Sequence, residues 1–265
     1  MFWLTHTSAS YSVVLALLFA VAAGLVGSFG LMKRMLLAGD VISHVALPGL
    51  GLAFLLKINP LIGGATTLFL GTLLIWELQK KTGMAAENII GVVFAASLGI
   101  GAAVTPKDDL AEALFGKNQA ISLSSFLLGA VAVVFIIAFI WQIKDQLVLT
   151  LFSSELASAT GVNVSRLNLY FLLLFSLTVL IGLRFMGALL AGSLIILPAA
   201  IGRRLTNKMS HFLIASSTAS VISVGAGFLL SSFAAPRFGL GPFTIVAASV
   251  LFAMSLCRGT LRSGV

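Results

Sequence analysis

Residues 36–56 read LLAGDVISHVALPGLGLAFLL, a run of 21 residues that is apolar except for Asp40, Ser43 and His44. About 20 mostly apolar residues form a helix long enough to cross a hydrocarbon core of about 30 Å. The run therefore predicts a membrane span, and its two ionisable groups sit where lipid would otherwise exclude them. Working outward, further apolar runs fall at roughly 12–32, 60–77, 88–105, 122–143, 167–183, 185–202, 211–233 and 241–257. Helices are the expected form, because in lipid every backbone polar group must be bonded within the segment. The fold class is thus all-α, a polytopic transmembrane helical bundle. The boundary at Arg184 consists of a single basic residue, so eight spans with a re-entrant segment stand beside nine.

Composition agrees. Of 265 residues 59% are hydrophobic and only 9% charged, against roughly 25% charged in a soluble domain. Mean hydropathy is +1.13, and no long polar stretch offers room for an appended soluble domain. The chain reads as one transmembrane domain over residues 1–265. No Lys or Arg precedes the first apolar run, so that run lacks the basic start of a cleavable signal and is expected to be a permanent span. The single cysteine, Cys257, excludes an intrachain disulfide and a CxxC site.

With the N-terminus outside and nine alternating spans, the C-terminus lies inside. Eleven basic residues then fall on the inner side (Lys33, Arg34, Lys80, Lys81, Lys144, Arg166, Arg203, Arg204, Lys208, Arg258, Arg262) and five on the outer (Lys57, Lys107, Lys117, Arg184, Arg237). Retention of positive charge in cytoplasmic loops has this sign. The net charge of +8 accordingly reports topology, and no nucleic-acid partner is needed to explain it. Small residues recur within the spans, as at Ala23/Gly27 and Gly187/Ala191, where they allow close helix packing.

Most of the eight acids and three histidines fall at span ends or in loops. Counted from a helix start near Met35, Asp40 lies roughly 7 Å and His44 roughly 13 Å into the membrane. An ionised group at such depth costs at least about 2.5–3.5 kcal/mol, so intramembrane ionisable residues face the protein interior and commonly mark ion pathways. Positions i and i+4 share a helix face. Carboxylate and imidazole together suit a borderline divalent ion such as zinc or manganese; a hydrogen bond that only fixes helix packing is the competing account. Pro48 has no N–H for the carbonyl of His44, which marks a helix break beside the pair. Broken helices at the midplane recur in transporter substrate sites.

One Asp and one His do not fill a tetrahedral zinc site. A twofold homodimer would bring two copies of the pair to its axis, making a second copy of this chain an expected partner. His6 and His211 sit near span ends, and Asp108, Asp109 and Glu112 sit in an outer loop over 106–120; each could assist ion capture or release, or be ordinary solvated polarity. No GxxxxGK[ST] motif occurs, so ATP chemistry would require a separate protein. No HExxH occurs either, which argues against a membrane metalloprotease. The inner loop at 144–166 carries Glu155, Ala157 and Gly161 in the spacing E-x-A-x-x-x-G, similar to the coupling motif by which ABC importers engage their ATPases.

These residues together make the chain resemble the membrane permease of the bacterial zinc/manganese/iron ABC importer family. The resemblance runs through AAGLVGSFGLMKRMLLAGDVISHVALPGLGLAF at 22–54, DLAEALFG at 109–116, SSELASATGVNVSRLN at 153–168 and FMGALLAGSLIILPAAIGRRL at 185–205. It implies that Asp40 and His44 line a metal pathway, and that residues 153–165 contact a cytoplasmic ATPase. It also implies two permeases, two ATPases and an extracytoplasmic metal-binding protein in the plasma membrane of a bacterium. The metal is then cargo and not a resident cofactor, and the chain itself is not an enzyme. An ion-coupled secondary metal transporter, with the Asp–His pair as proton relay, is the alternative.

Overall fold

In a computed structural model the chain is described over residues 2–35, 38–104, 122–206, 208–234 and 240–260. Within those ranges the side chains at 2–10, 40, 186, 188–189, 232–234, 240 and 257–260 lie outside the description. Eleven helices follow in order: α1 (Phe2–Met32), α2 (Ala38–Val45), α3 (Leu47–Leu55), α4 (Pro60–Thr82), α5 (Ala86–Val104), α6 (Leu123–Phe152), α7 (Ser154–Ala159), α8 (Val164–Met186), α9 (Ala188–Leu205), α10 (Met209–Ala234) and α11 (Leu240–Thr260). No strand occurs among the described residues. Six of the helices are long and apolar enough to cross a membrane, those of α1, α4, α5, α6, α8 and α10. Val41–Leu55 and Gly241–Leu256 are shorter apolar stretches.

Local sequence sets the helix ends. Asn59 precedes Pro60 and its side chain accepts from the Leu61 amide at 3.0 Å. Ser122 caps α6 by accepting from the Ser125 amide at 3.3 Å, and Asn163 caps α8 by accepting from the Arg166 amide at 3.0 Å. Each satisfies an amide that the helix cannot bond internally. Basic residues Lys80 and Lys81 close α4 while Arg203 and Arg204 close α9, the charge that a helix C-terminus favours.

The boundary read at Arg184 is made instead by Gly187. Arg184 lies inside the last turn of α8, exposed, with its guanidinium 5.4 Å from the centre of the Phe185 ring. Gly187, at φ 84° and ψ 162°, adopts a backbone conformation essentially confined to glycine, and α9 begins at the next residue. The two helices run side by side across this turn. A Cβ at Gly182 of α8 would overlap the Ala191 side chain of α9.

The second difference lies in the inner loop. Residues 144–152 continue α6 and only 160–163 separate α7 from α8. The buried residues Gly129, Val133, Ile136, Ile140, Ile143 and Leu147 alternate at spacings of four and three along α6. That stripe carries the helix past Lys144 without a Gly or Pro to stop it.

α1 forms the interior. Leu15, Phe19, Ala20, Ala23, Val26 and Phe29 are almost wholly buried, and α1 packs against α6, α8, α9 and α10. Its small residues set the spacing: a Cβ at Gly27 would overlap the carbonyl of Ile195 in α9. Large apolar side chains on α4, α5 and α6, among them Leu70, Val92, Leu128 and Val131, face outward, as hydrocarbon requires.

Candidate functional site

The first candidate site is the break between α2 and α3. α2 is described from Ala38. The Met35 amide donates to the Gly30 carbonyl at 2.8 Å and the Ala38 amide to the Met35 carbonyl at 3.0 Å. α2 ends at Val45 and α3 starts at Leu47, with Pro48 in its first turn. The Ala46 amide makes only a long bond of 3.4 Å to the Ser43 carbonyl, and regular helix resumes with Leu50 donating to Ala46 at 3.0 Å. Pro48 has no N–H to offer the His44 carbonyl, so the ladder stops there. At this point the chain is locally two helices, and a continuous α-helix over 36–56 is not formed.

α4 and α5 hold the break in place. A Cβ at Gly49 would overlap the Gly63 carbonyl, and one at Gly63 would overlap the Gly49 carbonyl, so α3 and α4 touch backbone to backbone. Gly101 of α5 also lies close to Leu47, where a Cβ would stand 2.8 Å from the Leu47 Cβ. Thr67 of α4 directs its hydroxyl toward three carbonyls, those of Gly63 at 3.2 Å, Gly64 at 3.3 Å and Ala46 at 3.4 Å. The carbonyl at the break is thus covered by a neighbouring helix, as irregular backbone at membrane depth must be.

His44 is half-buried on α2, its ring centre 5.6 Å from that of Phe94 on α5 at an interplanar angle of 61°. The Asp40 backbone belongs to the same helix, one turn earlier, and its side chain lies outside the described residues. Among the described residues no three His, Cys, Asp or Glu side chains converge as a metal site within one chain. Thr67, Phe94, Gly63 and Gly101 were not singled out by the sequence reading. Only the string IGGATT at 62–67 hints at a close approach, and it does not say to what. The His6 side chain and the acids Asp108, Asp109 and Glu112 fall outside the description, whereas His211 is exposed in the first turn of α10.

The second candidate site is α7. Ser153 caps it, accepting from the Leu156 amide at 3.1 Å. Glu155 is exposed in the first turn, where the helix dipole favours an acid. Ala157 is wholly buried. Beyond the helix, the Gly161 amide donates to the Ser158 carbonyl at 3.0 Å and the Val162 amide to the Ala157 carbonyl at 3.0 Å. With Gly161 at φ 85°, this is a Schellman stop, which calls for a left-handed residue at that position. The E-x-A-x-x-x-G spacing therefore has a local reason at each place: an acid to start, a small residue to seat, a glycine to stop. Around it the apolar side chains of Phe152 and Leu156 stand 85% and 54% exposed.

The family model described as "ABC 3 transport family" matches residues 7–259. The chain belongs to the ABC 3 transport family. It is similar to the high-affinity zinc uptake system membrane protein ZnuB of Haemophilus influenzae, 29% identical over 238 residues covering 88% of this chain and 90% of that protein. It is also similar to the manganese transport system membrane protein MntC of Listeria monocytogenes, 28% identical over 236 residues, 88% of this chain and 84% of the relative. Among solved structures it resembles PsaBC from Streptococcus pneumoniae in complex with Fab. There the TM-score is 0.78 at 25% identity, over 94% of this chain and 90% of that one.

Proposed function

We propose that this chain is the membrane permease of an ATP-driven importer of divalent transition-metal ions, zinc or manganese and by the same donor chemistry iron. The reading rests on membership of the ABC 3 transport family together with one observation: an acid and a histidine one turn apart on a helix that breaks within the apolar bundle. The metal is the cargo. His44 offers a ring nitrogen, Asp40 would offer carboxylate oxygens, and the two ligand types fit a borderline divalent ion. One copy supplies too few ligands, so a second permease copy would complete the ring. A site used for passage should bind moderately, because an ion held tightly is not released.

In this reading eight or nine spans cross the plasma membrane of a bacterium, with the N-terminus outside and the C-terminus inside. α7 then faces the cytoplasm, where Glu155, Leu156 and the neighbouring Phe152 would meet a separate ATPase that performs all ATP hydrolysis. An extracytoplasmic metal-binding protein would deliver the ion to the opposite face.

Reconstitution into vesicles with candidate ATPase and donor proteins tests this. Uptake of zinc, manganese and iron is followed with and without ATP, using wild type, Asp40→Asn and His44→Ala. ATP-dependent uptake that falls at least about tenfold in either variant, while donor binding and ATPase turnover persist, is the expected result. Uptake indifferent to ATP but abolished by an uncoupler would point to an ion-coupled carrier instead.

A further inference from the structure

At the end of the bundle that carries α7, the turn after α1 meets α4, α6 and α8 around a cavity of about 450 Å³. Lys33 lies in its wall. The ammonium donates to Asn168 Oδ1 at 2.9 Å, and Asn168 Nδ2 in turn donates to Gln79 Oε1 at 2.7 Å. The Phe171 ring centre is 5.1 Å from the same ammonium. Burial pushes the Lys33 pKa down to about 8, because an amide oxygen compensates a buried charge poorly. Lys80 lines the same cavity and lies over the Trp76 ring, 5.4 Å from its centre, and the Trp76 indole N–H donates to the Ser165 carbonyl at 2.9 Å.

Among the described residues the lining holds two ammonium groups and no carboxylate. α8 also opens here, with Val164 and Ser165 in the wall, so the positive end of a 23-residue helix adds to the two lysines. We propose that this cavity binds a phosphate group, presented either by an anionic lipid headgroup or by a soluble phosphate. The volume exceeds what a monatomic anion fills. Tryptophan favours the membrane interface, and basic pockets between helices are a recurrent setting for lipid headgroups. Thr150 of α6 and Ser165 of α8 lie on either side of α7 in the chain, and both line the cavity. A bound phosphate would therefore tie together the two ends of that connector. The site stands on its own geometry and does not depend on the transport reading.

The experiment titrates the purified full chain in neutral detergent with short-chain phosphatidylglycerol, short-chain phosphatidylcholine and inorganic phosphate, counting bound ligand by native mass spectrometry. A saturable site is expected whose affinity falls about fivefold in Lys80→Gln and at least as much in Lys33→Gln, with recovery in Lys33→Arg. Phosphatidylglycerol binding that inorganic phosphate does not displace assigns the anion to lipid; displacement by inorganic phosphate assigns it to a soluble source. Lys80 is exposed, so its variant stays informative if Lys33→Gln fails to fold. Affinity unchanged in both Gln variants, phosphatidylcholine binding as tightly as phosphatidylglycerol, or no saturable anion binding overturns the proposal.

Discussion

α6 and the α2–α3 pair are built from similar material and do opposite things. α6 runs unbroken for 30 residues, buries one narrow stripe, and leaves most of its apolar surface outward. The stretch 36–56 is as apolar, yet it divides at Ala46 and is pinned backbone to backbone against α4. In α6 nothing interrupts the hydrogen-bond ladder. In α2–α3 one missing N–H at Pro48 and an absent side chain at Gly49 convert a span into two half-helices around an ionisable pair. Hydropathy sees two spans; backbone chemistry separates an unbroken helix from a broken one.

Filling the contact between α3 and α4 should break that comparison most severely. Gly63→Leu places a side chain where the Gly49 carbonyl lies, and overpacking of this kind costs about 1–3 kcal/mol or more. Thermal unfolding in detergent should show a large drop in midpoint, with the same substitution at Gly91 of α5, where a Cβ meets nothing, much milder. An equal effect at both positions would mean that the close approach carries no weight.

Pro48→Ala sharpens the comparison by restoring the N–H that the His44 carbonyl lacks, making 36–56 more like α6. Interior proline costs a helix about 3 kcal/mol, so stability should hold or rise while metal transit falls several-fold. Uptake at the wild-type rate with a straightened helix would remove the break from the mechanism. Thr67→Val keeps the shape and deletes the hydroxyl aimed at the Ala46 carbonyl. Loss of a single such bond costs about 1 kcal/mol, readable as a modest shift in unfolding midpoint.

Lys33 gives a pH signature at the other end of the molecule. Its pKa is about 8 when folded and 10.5 unperturbed, so between those values the unfolded chain binds more protons than the folded one. Stability should then rise with pH from about 8 toward 10.5, and Lys33→Gln should flatten that rise when the two proteins are melted side by side. The smallest effect belongs to the unbroken helix: Leu128→Ala, at a site 63% exposed on α6, should change the midpoint by no more than about 0.5 kcal/mol equivalent.

Apart from 36–56, which divides into two helices, the apolar runs fall mainly in helical stretches among the described residues, because the cost of unpaired backbone in lipid leaves few alternatives to a helix. The helix break at Pro48 was readable for the same reason, as a consequence of backbone chemistry within a few residues. Arg184 misled because charge marks depth and not chain reversal, whereas the turn needs the conformation that Gly187 alone supplies. Lys144 and Asp145 look like the start of a loop in sequence, yet residues 144–152 are helical, because the buried stripe ending at Leu147 continues through them.

The order of amino acids by itself determined that this chain lives in a membrane as helices, where one of those helices breaks, and which two ionisable residues sit beside the break. Tertiary structure alone decided that Gly49 meets Gly63, that Thr67 covers the Ala46 carbonyl, and that Lys33, Gln79 and Asn168 converge at the base of α7. Such meetings join residues far apart in the chain, and they depend on how helix surfaces interlock, which no local periodicity encodes.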